Sequence, residues 1–288
     1  HDIGHGPFSH AMEHSIVNTV PHEDITLLFM EEMNKEFNGS LTLAIKIFKG
    51  EYNRKFMYQL ISSQLDMDRA DYLKRDSFYT GVPEGNVNSE RLITMLNVVN
   101  DELVVEEKGI YSIEKFLTAR RLMYWQVYLH KTSLVAEQLM IRALQRAKTL
   151  VLRGDNLTTS KSLMFFLQKT ITKEQFGQDI LKTFANLDDY DIISALKEWQ
   201  YHDDFVLRKL SEMIINRDLL KIKIRNKKVK NSLLEEHILD VVKKYDISHD
   251  EAAHFVFHGE ITNHAYQRKT EVIKILHKNG KVSDIVKA

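Results

Sequence analysis

Apolar residues recur at helical spacing along most of this chain, and little interrupts them: there are three prolines and 11 glycines in 288 residues. A sandwich of many short strands needs turn chemistry far more often, so the pattern predicts a mainly helical fold. Ile25, Leu28, Phe29 and Met33 form one stripe, with Pro21 at the helix start. Further helices are predicted over residues 41–48, 56–61, 67–78, 160–166, 173–184, 189–200, 203–216 and 233–245. A single long helix is predicted over 113–152, ended by Gly154. Elsewhere the period changes. Leu92, Val98, Leu103 and Val105 flank Asn100-Asp101, which reads as a short β-hairpin. Lys221-Ile222-Lys223-Ile224-Arg225 alternates as a half-buried strand does. Residues 255–257 and 272–276 read as strands, and Asn279-Gly280 as a type I′ turn. These signals divide the chain into a helical domain over 1–209 and a C-terminal α+β subdomain over 210–288.

A chain of this length buries a core without a disulfide or metal. It has no cysteine, which excludes a disulfide scaffold, a thiolate zinc site and a cysteine nucleophile together. Lys plus Arg and Asp plus Glu are both 40, so the formal charge is zero. That balance argues against a nucleic-acid partner. No apolar run approaches the ~20 residues that span a bilayer. The chain does not open with methionine and shows no leader, so it reads as a fragment whose first part is missing, and the cytoplasm is the expected location.

Four of the 13 histidines fall in the first 14 residues, His1-Asp2-Ile3-Gly4-His5-Gly6-Pro7-Phe8-Ser9-His10-Ala11-Met12-Glu13-His14. The His1-Asp2 pair offers an imidazole beside a carboxylate, a donor mixture suited to Fe, Mn, Zn or Mg. Gly4-x-Gly6-x-x-Ser9 approaches a dinucleotide fingerprint, but the third glycine is replaced, Pro7 intrudes and no strand precedes it. His10-Ala11-Met12-Glu13-His14 matches the H-x-x-E-H inverted zinc-protease pattern, with Glu13 placed to activate a water. Asp66-x-Asp68 starts like a calcium loop, but Ala70 and Asp71 stand where a ligand and a glycine are needed. Over 67–78, Asp68, Tyr72 and Asp76 recur at i, i+4 and i+8 and share a face, flanked by Arg69. Arg120, Tyr124, Tyr128 and Lys131 recur similarly further on.

His1-Asp2 followed by Ile3 to His10 resembles the signature of the HD-domain metal-dependent phosphohydrolases, and most nearly the branch of bacterial and vertebrate dNTP triphosphohydrolases. Asp66-Met67-Asp68-Arg69-Ala70-Asp71-Tyr72-Leu73-Lys74-Arg75-Asp76 resembles that branch's second metal segment, and Arg120 through Tyr128-Leu129-His130-Lys131 a third. The resemblance implies an HD-domain helical bundle over 1–209 with a small α+β appendage. It implies a divalent metal (Fe, Mn, Mg, Zn or Ni) held by His1, Asp2 and Asp68, with a further histidine expected upstream. By the same resemblance His5, Glu13 and His22 are catalytic, and His10 approaches the α-phosphate. Arg69, where the family uses Lys, and Arg120 contact the phosphates. Tyr72 and Asp76 bind the sugar, and Tyr128 packs near its C2′.

The implied reaction splits a deoxynucleoside triphosphate into deoxynucleoside and triphosphate. The absence of a G-x-x-x-x-G-K-[ST] loop agrees, since no P-loop is involved. Six cations between Lys221 and Lys230 stand out in a neutral chain. In nucleotide-activated relatives, residues matching Lys131, Arg217 and Lys221 lie near a regulatory nucleotide between subunits, which implies a homo-oligomer, dimer or tetramer. Two other readings remain open from the residues: an HD fold that binds nucleotide or nucleic acid without turnover, and the inverted zinc protease.

Overall fold

The computed structural model describes residues 2–262 and 272–287. In chain order the α-helices are α1 (His10–Glu13), α2 (His22–Glu36), α3 (Thr42–Phe48), α4 (Lys55–Ile61), α5 (Met67–Thr80), α6 (Ser89–Thr94), α7 (Ile110–Met123), α8 (Lys131–Arg153), α9 (Lys161–Gln168), α10 (Gln178–Ala185), α11 (Asp189–Trp199), α12 (Phe205–Ile215), α13 (Asn231–Tyr245) and α14 (His249–Ala252). Four short strands join them: β1 (Leu96–Val99), β2 (Glu102–Glu106), β3 (Lys274–Leu276) and β4 (Val282–Asp284). The fold is therefore mainly α with one small sheet. Among the described residues no helix is long and apolar enough to cross a membrane.

The described residues form two compact units. One comprises Met33–His130 and the chain from Ile261 onward, the other Asp2–Glu32 and Lys131–Glu260. The expected division at 209/210 is not where the packing divides. The reason is the sheet, which runs β1-β2-β3-β4 and takes two strands from mid-chain and two from the end. β2 pairs in parallel with β3 through Val105↔Ile275 and Glu106↔Leu276. That pairing occupies an edge whose N–H and C=O groups would otherwise be open.

Within this first unit, Ile113, Phe116, Ala119 and Met123 of α7 are buried against Leu73 of α5 and Ile275 of β3. Asn100 and Asp101 both adopt positive φ (50° and 61°), the two-residue turn that matches strand twist. The Asn279-Gly280 turn differs from expectation. Only Gly280 has positive φ, 79°, and its N–H donates to the His277 carbonyl at 2.9 Å. This is a type I turn with a left-handed glycine, the geometry of a three-residue hairpin loop.

In the second unit, α8 presents Val135, Leu139, Ala143, Leu144, Ala147 and Leu150 to a core shared with Phe166, Leu196, Trp199 and Leu207. Gly154 ends α8 with φ 102°. Two predicted strands are absent. Residues 221–225 and 255–257 are irregular, and Ile224 is exposed, so the alternation at 221–225 has no sheet face to bury it. The single helix predicted over 113–152 is also interrupted. A π-helical turn at Tyr124–Tyr128 follows α7, and the Leu129 N–H reaches back to the Tyr124 carbonyl at 2.7 Å, five residues away.

Arg146 of α8 pairs with Asp204, its Nε donating to Oδ1 at 3.0 Å, and both side chains are largely buried. Asp204 also caps α12 by accepting the Leu207 N–H at 2.8 Å. Burial pushes its carboxyl up, but the hydrogen bonds from Arg146 and Leu207 outweigh it and hold the carboxyl below its ordinary range. A depressed native value stabilises the fold above the unfolded-state value of about 4, and that stability is lost as pH falls through the native value. Asp204→Asn should therefore cost about 2 kcal/mol near pH 7, with the gap to wild type narrowing below about pH 4. Denaturant unfolding at pH 7 and pH 3 measures both.

Candidate active site

The expected site residues fall in both units, and each group stands by itself. In the second unit the residues after Asp2 make a short 3-10 turn, Asp2–Gly4, and the chain then lies against the start of α2. Gly4 permits this. A Cβ there would sit 2.2 Å from the His22 carbonyl oxygen and 2.3 Å from the Thr26 nitrogen. The Gly4 N–H donates to the buried Thr26 hydroxyl at 3.0 Å. A Cβ on Gly6 would meet Met12 Sδ at 2.8 Å and the Phe184 ring at 3.2 Å.

This close approach sets the histidines over one another. The rings of His5 and His22 stack with centroids 4.0 Å apart and 19° between planes. His22 Nδ1 lies 3.1 Å from Glu13 Oε2, and its Nε2 lies 3.4 Å from Glu23 Oε1. His5 Nδ1 lies 3.0 Å from the Ser9 hydroxyl, and its Nε2 faces Asp2 Oδ1 at 3.9 Å. The structure thus brings together the expected His5, Glu13 and His22, and adds Ser9 and Glu23. Glu23 follows His22 directly in the sequence. Ser9 carried no signal beyond its place in the motif. The H-x-x-E-H run forms only the one-turn α1, with His14 past its end, and Glu13 is turned to His22. His1 and the side chain of His10 lie outside the described residues.

In the first unit, Asp66 caps α5, accepting the Arg69 N–H at 2.8 Å and the Ser63 N–H at 3.1 Å. Asp66 is buried and also takes a hydrogen bond from the Arg69 guanidinium. Arg69, expected to face phosphate, is therefore partnered within its own helical turn. Asp68, Tyr72 and Asp76 are half-buried while Asp71, Lys74 and Arg75 between them are exposed, as the expected shared face requires. Asp76 accepts the Tyr128 hydroxyl at 2.6 Å. Tyr128 packs edge-on to both Tyr72 and Tyr124, with centroids 5.8 and 5.4 Å away. The π-helical turn carries Tyr124 and Tyr128, so their register departs from the even α-helical row expected from their spacing. Burial raises the Tyr72 phenol against the pull of Arg120. Burial, then the Asp76 hydrogen bond, pushes Tyr128 well above its ordinary value.

Arg120 of α7 is 3% exposed. Its Nη1 donates to Gln64 Oε1 at 3.2 Å, its guanidinium lies 5.9 Å from the Tyr124 ring centroid, and its Nε is buried with no hydrogen-bond partner. Among the described residues it makes no ion pair. Gln64 was not foreseen, because a glutamine 56 residues away in sequence gives no local sign of contact.

The expected metal donors are one imidazole and two carboxylates. Among the described residues no three His, Asp or Glu side chains gather as a metal centre. The donor chemistry itself suits a divalent cation, and the Asp2 side chain is 67% exposed. Lys131, Arg217 and Lys221 are all exposed, and no hydrogen bond or ion pair among the described residues joins them to an acid.

A family model described as the HD associated region matches residues 87–162. A crystal structure of a phosphohydrolase from Bacteroides thetaiotaomicron superposes with a TM-score of 0.95 at 50% identity, covering 100% of this chain and 72% of that one. The chain belongs to the HD-domain phosphohydrolase family. Its mainly α architecture with a small sheet is the HD-domain fold. The uncharacterized protein YwfO of Bacillus subtilis is 33% identical over 228 residues, 77% of this chain and 51% of that protein. A deoxynucleoside triphosphate triphosphohydrolase SAMHD1 homolog of Dictyostelium discoideum is 22% identical over 296 residues, 92% of this chain and 57% of its own. The HD-domain chain described here thus spans about half the length of the curated relatives it matches.

Gly4→Ala tests the packing that sets the histidine stack. The added methyl meets backbone rather than a flexible side-chain tip, so a loss of about 1–3 kcal/mol is expected. Urea unfolding gives the stability, and cross-relaxation between the His5 and His22 rings gives the geometry. Unchanged values of both would show that the approach is not as tight as stated.

Proposed function

We propose that this chain is a metal-dependent phosphohydrolase that splits deoxynucleoside triphosphates into deoxynucleoside and inorganic triphosphate. The observation that carries the reading is Arg120. A guanidinium cannot shed its charge, and burying one without a counter-ion is costly. An anionic ligand beside the Tyr72–Tyr128 pair relieves that cost, and a nucleotide's phosphate chain and sugar match those two features.

Held by His1, Asp2 and Asp68, a divalent cation (Fe, Mn, Mg, Zn or Ni) would supply Lewis-acid polarisation of a phosphoryl oxygen and a more acidic water. This assignment rests on the sequence motif. The chain's own groups do the rest. Glu13 orients His22 through Nδ1, and the stacked His5–His22 pair moves a proton at an imidazole nitrogen to the leaving 5′-oxygen. Arg120 neutralises the phosphates, with Arg69 beside Asp66 as a second cation. His10 approaches the α-phosphate. The Tyr72 and Tyr128 rings flank the sugar, and Asp76, by accepting the Tyr128 hydroxyl, holds that ring where a 2′-hydroxyl would crowd it.

Incubation with each dNTP should release nucleoside and triphosphate in equal amounts, ahead of any orthophosphate. Orthophosphate or pyrophosphate as first product would place the enzyme in another class. Arg120→Ala should lower kcat/KM by about 10²-fold if the guanidinium meets the phosphates in the transition state. Equal rates on ATP and dATP would remove the role given to Tyr128.

For regulation, we infer that Lys131, Arg217 and Lys221 take a second nucleotide at a contact between copies of the chain. Lys131 opens α8 with no acid at the neighbouring helical position, and unpaired cations repel unless an anion lies between them. Association should rise with added dGTP. Sedimentation of wild type and a Lys131→Ala, Arg217→Ala double variant reads this directly.

A further inference from the structure

Two consecutive residues beside the histidine stack hold a backbone conformation that neither favours. Phe8 has φ 52° and Ser9 φ 49°. Left-handed backbone is unusual for any residue with a Cβ and more so for a bulky one, so it persists only where the surroundings over-determine it. The turn's own bonds are few. The Ser9 N–H donates to the Gly6 carbonyl at 2.9 Å and the Ala11 N–H to the Phe8 carbonyl at 3.0 Å. The Ser9 carbonyl accepts the Glu13 N–H at 3.5 Å, and a further restraint comes from far along the chain, where the Phe8 N–H donates to Asp189 Oδ1 at 2.9 Å.

Asp189 is the first residue of α11, yet it does not cap that helix. Asp188 does so, accepting the Tyr190 and Asp191 N–H groups at 2.8 and 3.2 Å, with the Asp191 side chain returning to the Asp188 N–H at 2.9 Å. The Asp189 carboxylate is thus left to the Phe8 turn. That turn folds the Ser9 hydroxyl back to His5 Nδ1 at 3.0 Å, and His5 is the ring stacked on His22.

We propose that Ser9 and Asp189 are positioning residues for His5, an inference that rests on the hydrolase reading of the same site. Asp189 holds the strained turn, the turn delivers the Ser9 hydroxyl to Nδ1, and that hydrogen bond sets how the His5 ring faces. Neither residue touches substrate.

The test uses the full chain, with Ser9→Ala, Asp189→Ala and Asp189→Asn. The asparagine keeps a carbonyl oxygen where the Phe8 N–H donates. Ser9→Ala should lower kcat on dGTP by about tenfold with KM within about twofold, since orientation of an acid–base group acts on the chemical step. Nitrogen-15 spectra of the histidine side chains, assigned with His5→Gln, should show the His5 Nδ1 signal displaced in Ser9→Ala. Asp189→Ala should displace it in the same direction, and Asp189→Asn should restore both signal and kcat. A wild-type His5 spectrum in Ser9→Ala overturns the proposal, as does an Asp189→Asn variant as impaired as Asp189→Ala. If the wild type does not turn over dGTP, the spectra still decide the positioning role, so the two readings fail separately.

Discussion

The close approach of the Gly4 backbone to the first turn of α2 is the contact on which the candidate site depends. With a Cβ 2.2 Å from the His22 carbonyl, no other residue fits without moving one of the two segments. Because they meet, His5 lies on His22, and His22 is within reach of Glu13. The glycine is present for space, not for a left-handed turn. The left-handed positions go instead to Phe8 and Ser9, where the Phe8 N–H donates to Asp189.

Two buried arginines show how charge is handled for different ends. Arg146 is matched by Asp204 in a pair that also caps α12, so the desolvation of both ions is offset within the fold. Arg120 receives only an amide oxygen and a tyrosine ring, and one of its nitrogens is left without a partner. Arg120, left unpaired beside two tyrosines, is the observation on which the proposed nucleotide reading rests.

Much of the candidate site was legible because its parts are local. The run of motif residues from His1 to His10, the α5 face carrying Asp68, Tyr72 and Asp76, and the Asn100-Asp101 turn are each read from residues a few positions apart. The partners were not legible. Gln64 for Arg120, Asp189 for Phe8 and Tyr128 for Asp76 are 56, 181 and 52 residues apart in sequence. Asp66 for Arg69 is local, a cap three residues ahead of its helix-borne partner, and could have been read from that spacing.

The sequence by itself determined the helical class, the position of most helices, and a His-, Asp- and Gly-rich motif that resembles the HD-domain phosphohydrolase signature. Periodicity and turn residues act over a few positions, so they survive reading one residue at a time. Tertiary structure alone decided that residues 274–284 complete the sheet begun at 96–106, and that 221–225 forms no strand despite its alternation. It also decided that the helix before Lys131 gives way to a π-helical turn at Tyr124–Tyr128. A strand needs an open edge to pair with, a buried charge needs a partner or a ligand, and a helix changes register when packing asks for it. Those conditions are met by residues distant in the chain, which no local pattern records.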